Sequence, residues 1–348
     1  MRIRRGVSYR VAQTPLKLAD QQTLMSISLA ILSRMEYTKL GGSSADVSII
    51  SLGAGGHSRL GLETGHDQSH AVGIVQQAVD AGINLIDTAE NYGTESVVGT
   101  ALQEYDRDDI VLSTKFGLHD DEGELRFPEE IQDSLRGSLN RLGTEYVDVY
   151  HLHGVSPDEY EYAATELRPE LQRLKENGLI HQIGITETVS RDPSHEMLKR
   201  AVEDGGWDVV MVGYNMLNQS ARSTVLEPAQ AQDIGTIGMV PVRRALSDVA
   251  YLKETIAELV DRGEVEQDTI DPDDPFGFVL SDTDVRDRID AAYRFACQEP
   301  TIDTVLMGTG NPRHLEANIQ SALADPLPKR VRRDIEERFA GVHTTLGN

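Results

Sequence analysis

The chain has 348 residues, of which 57 are acidic and 33 basic, giving a net charge of −24; only seven of the basic residues are lysine. Such a field repels nucleic acid and anionic membrane, so neither is an expected partner. The length suits one large domain or two ordinary ones, and the lone Cys297 leaves no intrachain disulfide framework and no cysteine-based metal site.

The acidic excess reads as adaptation to a salty cytoplasm, where screening removes self-repulsion and carboxylates keep the surface hydrated. The plainer alternative is a merely acidic, soluble protein. Near the start, "LMSISLAIL" (24–32) is too short to span a bilayer. "RIRR" lies upstream of it, but no small-residue cleavage site follows. Residues 1–34 are therefore expected to be a disordered extension or a start-site artefact, with a signal peptide as the alternative. The folded region is expected at 35–340.

From Met35 onward, short β-branched runs alternate with longer amphipathic ones. "VSIISLG" (47–53) reads as a strand and "SHAVGIVQQAVDAG" (69–82) as a helix with a glycine stop. "INLIDTA" (83–89) is the next strand and "ESVVGTALQEY" (95–105) the next helix. "DIVLSTKFG" (109–117) and "PEEIQDSLRGSLNRLG" (128–143) repeat the pair. So do "YVDVYHLHG" (146–154) with 167–178, "IHQIGIT" (180–186) with 193–205, and "WDVVMVGYN" (207–215) with 220–232. "GTIGMVPV" (235–242) precedes a helix at 247–263. An acidic, proline-containing loop (263–278) and a helix at 282–300 come next. The strand "IDTVLMGTG" (302–310) precedes helices at 311–325 and 328–339. Eight strand–helix units imply parallel pairing and the count of a (β/α)8 TIM barrel. A doubly wound open sheet is the runner-up, weakened because no G-x-G-x-x-G follows the first strand.

In a barrel, chemistry sits where strands end. The second strand ends at Asp87, with Tyr92 just beyond; the third ends at Lys115 and the fourth at His153. Each has a bland reading, as a turn cap, a loop phenol, a snorkelling lysine or a core histidine. Together they make an acid catalyst. A tyrosine with a pKa near 10 is a poor acid at neutral pH, and an ammonium beside it should pull that value down by about two units, or about 2.7 kcal/mol. A carboxylate would hold the lysine charged, and a histidine could polarise a carbonyl oxygen. His151 shares a strand face with His153. No third ligand is signalled, so no metal site is expected, and His151 reads as an inward residue beneath the site.

These residues carry a family resemblance. "GINLIDTAENYGTESVVGTAL", "LSTKFG" and "YVDVYHLHG" resemble the aldo/keto reductase segments that supply an aspartate and tyrosine, a lysine and a histidine. "YTKLGGSSADVSIISLGAG" and "VLMGTGNPRHLEANI" also match in style, so the resemblance runs over about 35–325. It implies hydride transfer between a bound nicotinamide cofactor, NADP or NAD with NADP slightly preferred, and a small carbonyl or alcohol. Tyr92 is then the proton donor, Asp87 holds Lys115, and Lys115 tunes Tyr92. It also implies that Tyr214 stacks on the nicotinamide, that Thr186 contacts the carboxamide, and that Gly308, Thr309, Gly310, Asn311, His314 and Asn318 bind the phosphate side. A glycine turn opening a helix presents free N–H groups for that purpose.

Three departures stand out. Thr186 and Glu187 replace the family's serine–asparagine pair, Met211 replaces a glutamine, and an arginine associated with the adenosine 2′-phosphate is absent near Gly310. Arg313, or the pair Arg243 and Arg244, could substitute. Substrate choice is assigned to the loops after the strands, and the acidic "HDDEGE" argues against an anionic substrate. Besides a small-molecule oxidoreductase, two other functions fit: a nicotinamide-binding, redox-sensing regulatory subunit, and a barrel with other chemistry such as a metal-dependent lyase or hydrolase.

Overall fold

The structure, a computed structural model, describes residues 35–281, 283–345 and 347; the expected extension at 1–34 lies outside them. A two-stranded antiparallel hairpin, β1 (Tyr37–Lys39) and β2 (Asp46–Ser48), precedes a closed parallel barrel. The barrel strands are β3 (Ile50–Gly53), β4 (Leu85–Asp87), β5 (Val111–Gly117), β6 (Val147–Val155), β7 (Ile180–Glu187), β8 (Val209–Gly213), β9 (Gly235–Met239) and β10 (Thr304–Met307). They pair in chain order, with β10 closing on β3. The barrel expectation is met.

One expected strand splits in two. "VSIISLG" (47–53) is not a single element: Asp46–Ser48 pairs antiparallel with β1, and Ile50–Gly53 joins β10 and β4. Ser48 makes the break by turning its hydroxyl onto the Ile50 carbonyl at 2.7 Å, while the Asn84 side chain takes its backbone N–H at 2.8 Å. Leu40 and Val47 of this hairpin join Leu85, Val111, Val149, Val209, Met211 and Ile237 in one buried cluster that fills the barrel. The hairpin therefore plugs the amino-terminal end and leaves the carboxy-terminal rim for loops.

That inner cluster fixes which way each strand faces, because side chains alternate with period two. Leu85 and Asp87 face in, as do Val111, Ser113 and Lys115, and Val149, His151 and His153. On β8, Val209, Met211 and Gly213 face in, while Val210, Val212 and Tyr214 belong to the outer core under the helices. The helices follow the expected pattern with shorter ends. Gln68–Asp80 begins at Asp67, whose side chain accepts from His70 N at 2.9 Å. Glu130–Leu142 stops at the left-handed Gly143 (φ 68°). The expected helix at 282–300 is Arg288–Cys297, started by the Asp287 cap.

Candidate active site

Asp87, Tyr92, Lys115 and His153 meet on the carboxy-terminal rim. Lys115 Nζ donates to both Asp87 oxygens, at 2.6 and 2.5 Å, and to the Thr88 carbonyl at 2.7 Å. Ser113 adds a hydrogen bond to Asp87 at 2.8 Å. Asp87 and Lys115 are both buried, so neither charge is tolerable without the other. Tyr92 OH lies 3.1 Å from His153 Nε2, and Lys115 Nζ sits 5.1 Å from the Tyr92 ring centre. Parallel strand pairing, not sequence proximity, joins these pairs: β4 is in register with β5, and β5 with β6.

The electrostatics differ from expectation in one respect. The Tyr92 phenol lies above the ordinary tyrosine value, because burial and the Asp87 charge outweigh the lowering by Lys115 and Arg59. The lysine does pull in the expected direction; desolvation is the larger effect. Tyr92 therefore keeps its proton across the neutral range. Burial and the Lys115 charge push His153 down to about 3, so its imidazole is neutral there. His151 lies beneath it, fully buried, with neither ring nitrogen hydrogen-bonded. Gly184 makes room for that ring: a Cβ there would fall 2.0 Å from His151 Nδ1.

Several residues that build this site escaped sequence reading. A Cβ on Gly55 would fall 2.0 Å from Tyr92 Cε2, so the phenol ring lies directly on that glycine. Arg59 donates to the Asn91 carbonyl at 3.3 Å and to the Tyr92 carbonyl, with its guanidinium 5.3 Å from the Tyr92 ring centre. Arg59 and Leu60 hold φ of 46° and 60°, left-handed values that cost about 1–3 kcal/mol each outside glycine. Glu90 clamps the Tyr92 turn to β5, accepting from Gly117 N at 2.8 Å and Arg126 at 2.6 Å. Its place between Asp87 and Tyr92 in "DTAENY" was the available signal.

The expected cofactor residues divide. Thr186 faces the barrel interior and accepts from Gly154 N at 2.7 Å. It neighbours Met211 in register. Glu187 faces outward instead: it binds buried His195 Nδ1 at 3.0 and 2.9 Å and accepts from Gly213 N at 2.7 Å. Burial pushes its carboxyl up, partly offset by His195. Tyr214 also points away from the mouth. Its ring stacks on Phe295 and its hydroxyl donates to Glu299 at 2.7 Å. This corrects the stacking role expected for Tyr214, and the reason is strand parity on β8.

The last rim loop is partly open. Gly308 is exposed and bounded by the glycine backbone at 53 and 56. Gly310 packs on the 60–61 backbone, where a Cβ would not fit. Thr309 takes the Asn311 N–H at 3.0 Å, and Asn311 caps the helix Pro312–Ala322 through Arg313 N at 2.9 Å. His314 is exposed, and Asn318 turns inward to Tyr293 OH at 3.3 Å. The exposed backbone at Gly308 leaves room for a phosphate-bearing ligand. The capped helix start offers it fewer free donors than the resemblance implies. A separate cleft of about 910 Å³, lined by Asp46, Asp108 and Asp148 among others, opens at the opposite, hairpin end and holds none of these residues.

Comparison with known proteins agrees with this geometry. The sequence profile of the Aldo/keto reductase family matches residues 50–338. The chain belongs to that family. It is 26% identical over 301 residues to the uncharacterized oxidoreductase YqkF of Bacillus subtilis (strain 168), covering 83% of this chain and 92% of that protein. It is 31% identical over 222 residues to L-galactose dehydrogenase of Arabidopsis thaliana, covering 62% and 68%. Its fold is similar to that of aldo-keto reductase AKR11C1 from Bacillus halodurans in the holo form, with a TM-score of 0.66 at 24% identity over 87% of this chain and 96% of that one. This aldo/keto reductase is thus an oxidoreductase acting on carbonyl or alcohol groups of small molecules, with a nicotinamide cofactor.

Proposed function

We propose that this aldo/keto reductase reduces a small aldehyde, ketone or sugar with Tyr92 as general acid, and runs the reverse oxidation with Tyr92 as base. The observation that carries the reading is the joined pair of contacts on one rim: Lys115 locked to Asp87, and Tyr92 OH 3.1 Å from His153 Nε2. The bound nicotinamide supplies or accepts the hydride. The substrate oxygen is placed within hydrogen-bond reach of both Tyr92 OH and His153 Nε2, and the developing alkoxide is basic enough to take the phenol proton despite its raised pKa. Neutral His153 orients that oxygen. Lys115, 5.1 Å from the ring centre, stabilises the phenolate left behind, and Asp87 keeps it charged. Thr186 contributes to carboxamide binding from inside the barrel, and Gly308 opens the phosphate side. NADP is slightly preferred over NAD, and the acidic surface suits a salty cytoplasm.

The test follows nicotinamide absorbance in high salt with NADPH or NADH, a panel of aldehydes and sugars, and Tyr92→Phe. Removing the proton donor should lower kcat about 10²- to 10⁴-fold. Unchanged turnover in Tyr92→Phe would refute the assignment. Cofactor binding without turnover on any substrate would instead favour a redox-sensing subunit.

A further inference from the structure

Two cations face Tyr92 at nearly equal range. Lys115 Nζ lies 5.1 Å from its ring centre and the Arg59 guanidinium carbon 5.3 Å. The two are not equivalent. Lys115 is engaged by both Asp87 oxygens, at 2.6 and 2.5 Å, so that pair acts on the phenol as a dipole and not as a free cation. Arg59 donates to the Asn91 carbonyl at 3.3 Å and to the Tyr92 carbonyl, and among the described residues no carboxylate pairs with it. Carbonyls satisfy a guanidinium without cancelling its charge. The other titratable neighbours add little: Glu90 is paired with Arg126 at 2.6 Å, and His153, pushed down to about 3, is neutral.

The chain accepts backbone strain to keep Arg59 there. Arg59, Leu60 and Gly61 hold φ of 46°, 60° and 101°, three left-handed values in succession, and only the last is a glycine. Strain of this kind persists where the surroundings overdetermine it, and it gathers at functional sites. Here the Arg59 N–H donates to Gly56 O at 2.8 Å, the Gly61 N–H donates to Ser58 O at 2.7 Å, and Leu60 is buried. Gly310 closes on the same turn, where a Cβ would fall 2.3 Å from Gly61 N. A guanidinium held this way is preorganised, so little has to move when charge develops beside it.

We infer that Arg59 is a positioning residue of the reaction, supplying the uncompensated positive charge that stabilises the Tyr92 phenolate when the proton leaves. The influences on Tyr92 agree in sign and order. Burial is the largest and raises the phenol; Lys115 lowers it, Asp87 takes part of that back, and Arg59 lowers it further. The inference rests on the reading of Tyr92 as general acid and base given above.

The test is the pH profile of kcat/KM in both directions, at saturating cofactor and one fixed salt concentration, because salt screens exposed charge. Wild type, Arg59→Met, Arg59→Gln and Arg59→Lys are compared, with Tyr92→Phe as control. Reduction falls off, and oxidation rises, as Tyr92 loses its proton. Removing a unit charge at this range should move that inflection up by about one pH unit in Arg59→Met and Arg59→Gln. Arg59→Lys keeps the charge and should hold the inflection near that of wild type. An inflection that stays put in Arg59→Met while the rate falls at every pH would overturn the inference, because Arg59 then only grips the turn. So would an Arg59→Lys profile displaced as far as that of Arg59→Met. Where a variant turns over too slowly to profile, its tyrosinate absorbance, read against the same variant carrying Tyr92→Phe, reports the same shift. Full turnover in Tyr92→Phe alone would overturn the acid–base reading, and this inference with it.

Discussion

Gly55→Ala should disable the enzyme without unfolding it. The added methyl would stand 2.0 Å from Tyr92 Cε2, 2.4 Å from Cζ and 2.5 Å from Cδ2. Ordinary van der Waals contact begins near 3.4 Å, so the ring must retreat by about 1.4 Å. It cannot retreat freely, because Arg59 grips the backbone of its turn and Glu90 ties that turn to β5. The hydroxyl then leaves its place beside His153. A 1 Å misplacement of a catalytic group costs about 10²-fold in rate, or about 2.7 kcal/mol of barrier. Gly55 does not hold a left-handed φ, so alanine is acceptable to the backbone and the unfolded chain loses some freedom. The expected result is kcat reduced about 100-fold, with cofactor affinity kept and the urea midpoint close to wild type. Gly55→Ala with full kcat would refute the claim that this glycine seats Tyr92. A fall in kcat matched by a large loss of stability would refute the claim that the effect is local.

Other consequences follow from the charges. Asp87→Asn leaves the Lys115 ammonium buried without its counter-ion and should cost about 3–5 kcal/mol in urea unfolding, while Asp87→Asn with Lys115→Met should recover most of that stability. No recovery in the double variant would mean the pair is not coupled. His153 binds fewer protons folded than unfolded between pH 6.5 and about 3. Its contribution is fully present above pH 6.5 and is lost progressively as the pH falls towards 3. At pH 5 wild type should have lost about 2 kcal/mol relative to His153→Gln, read as the difference between their unfolding curves at pH 7 and 5. Parallel curves at both pH values would show that the imidazole titrates normally.

The barrel and four of its rim residues were legible in sequence because both depend on short-range pattern. Strand–helix alternation implies parallel pairing, and a polar residue at the end of an apolar run marks the point where a strand leaves the core. Asp87, Lys115 and His153 each met that criterion, and Tyr92 followed in the same loop. The direction a residue faces was not legible on β8. "VVMVG" is apolar throughout, as parallel strands buried on both faces are, so nothing in it separates the inward Met211 from the outward Val210 and Val212, or sets the side to which the following Tyr214 turns. Glu187 was similarly hidden: its buried partner His195 lies on the following loop and only the fold brings it back.

By itself, then, the chain determined which chemistry stands at the strand ends, since periodicity and residue type are local properties. Tertiary structure alone decided what each group touches. Parallel pairing brings β4, β5 and β6 into register, joining Lys115 to Asp87 and Tyr92 to His153. Burial, which depends on every surrounding element, keeps the Tyr92 phenol protonated where the neighbouring lysine alone would have lowered it.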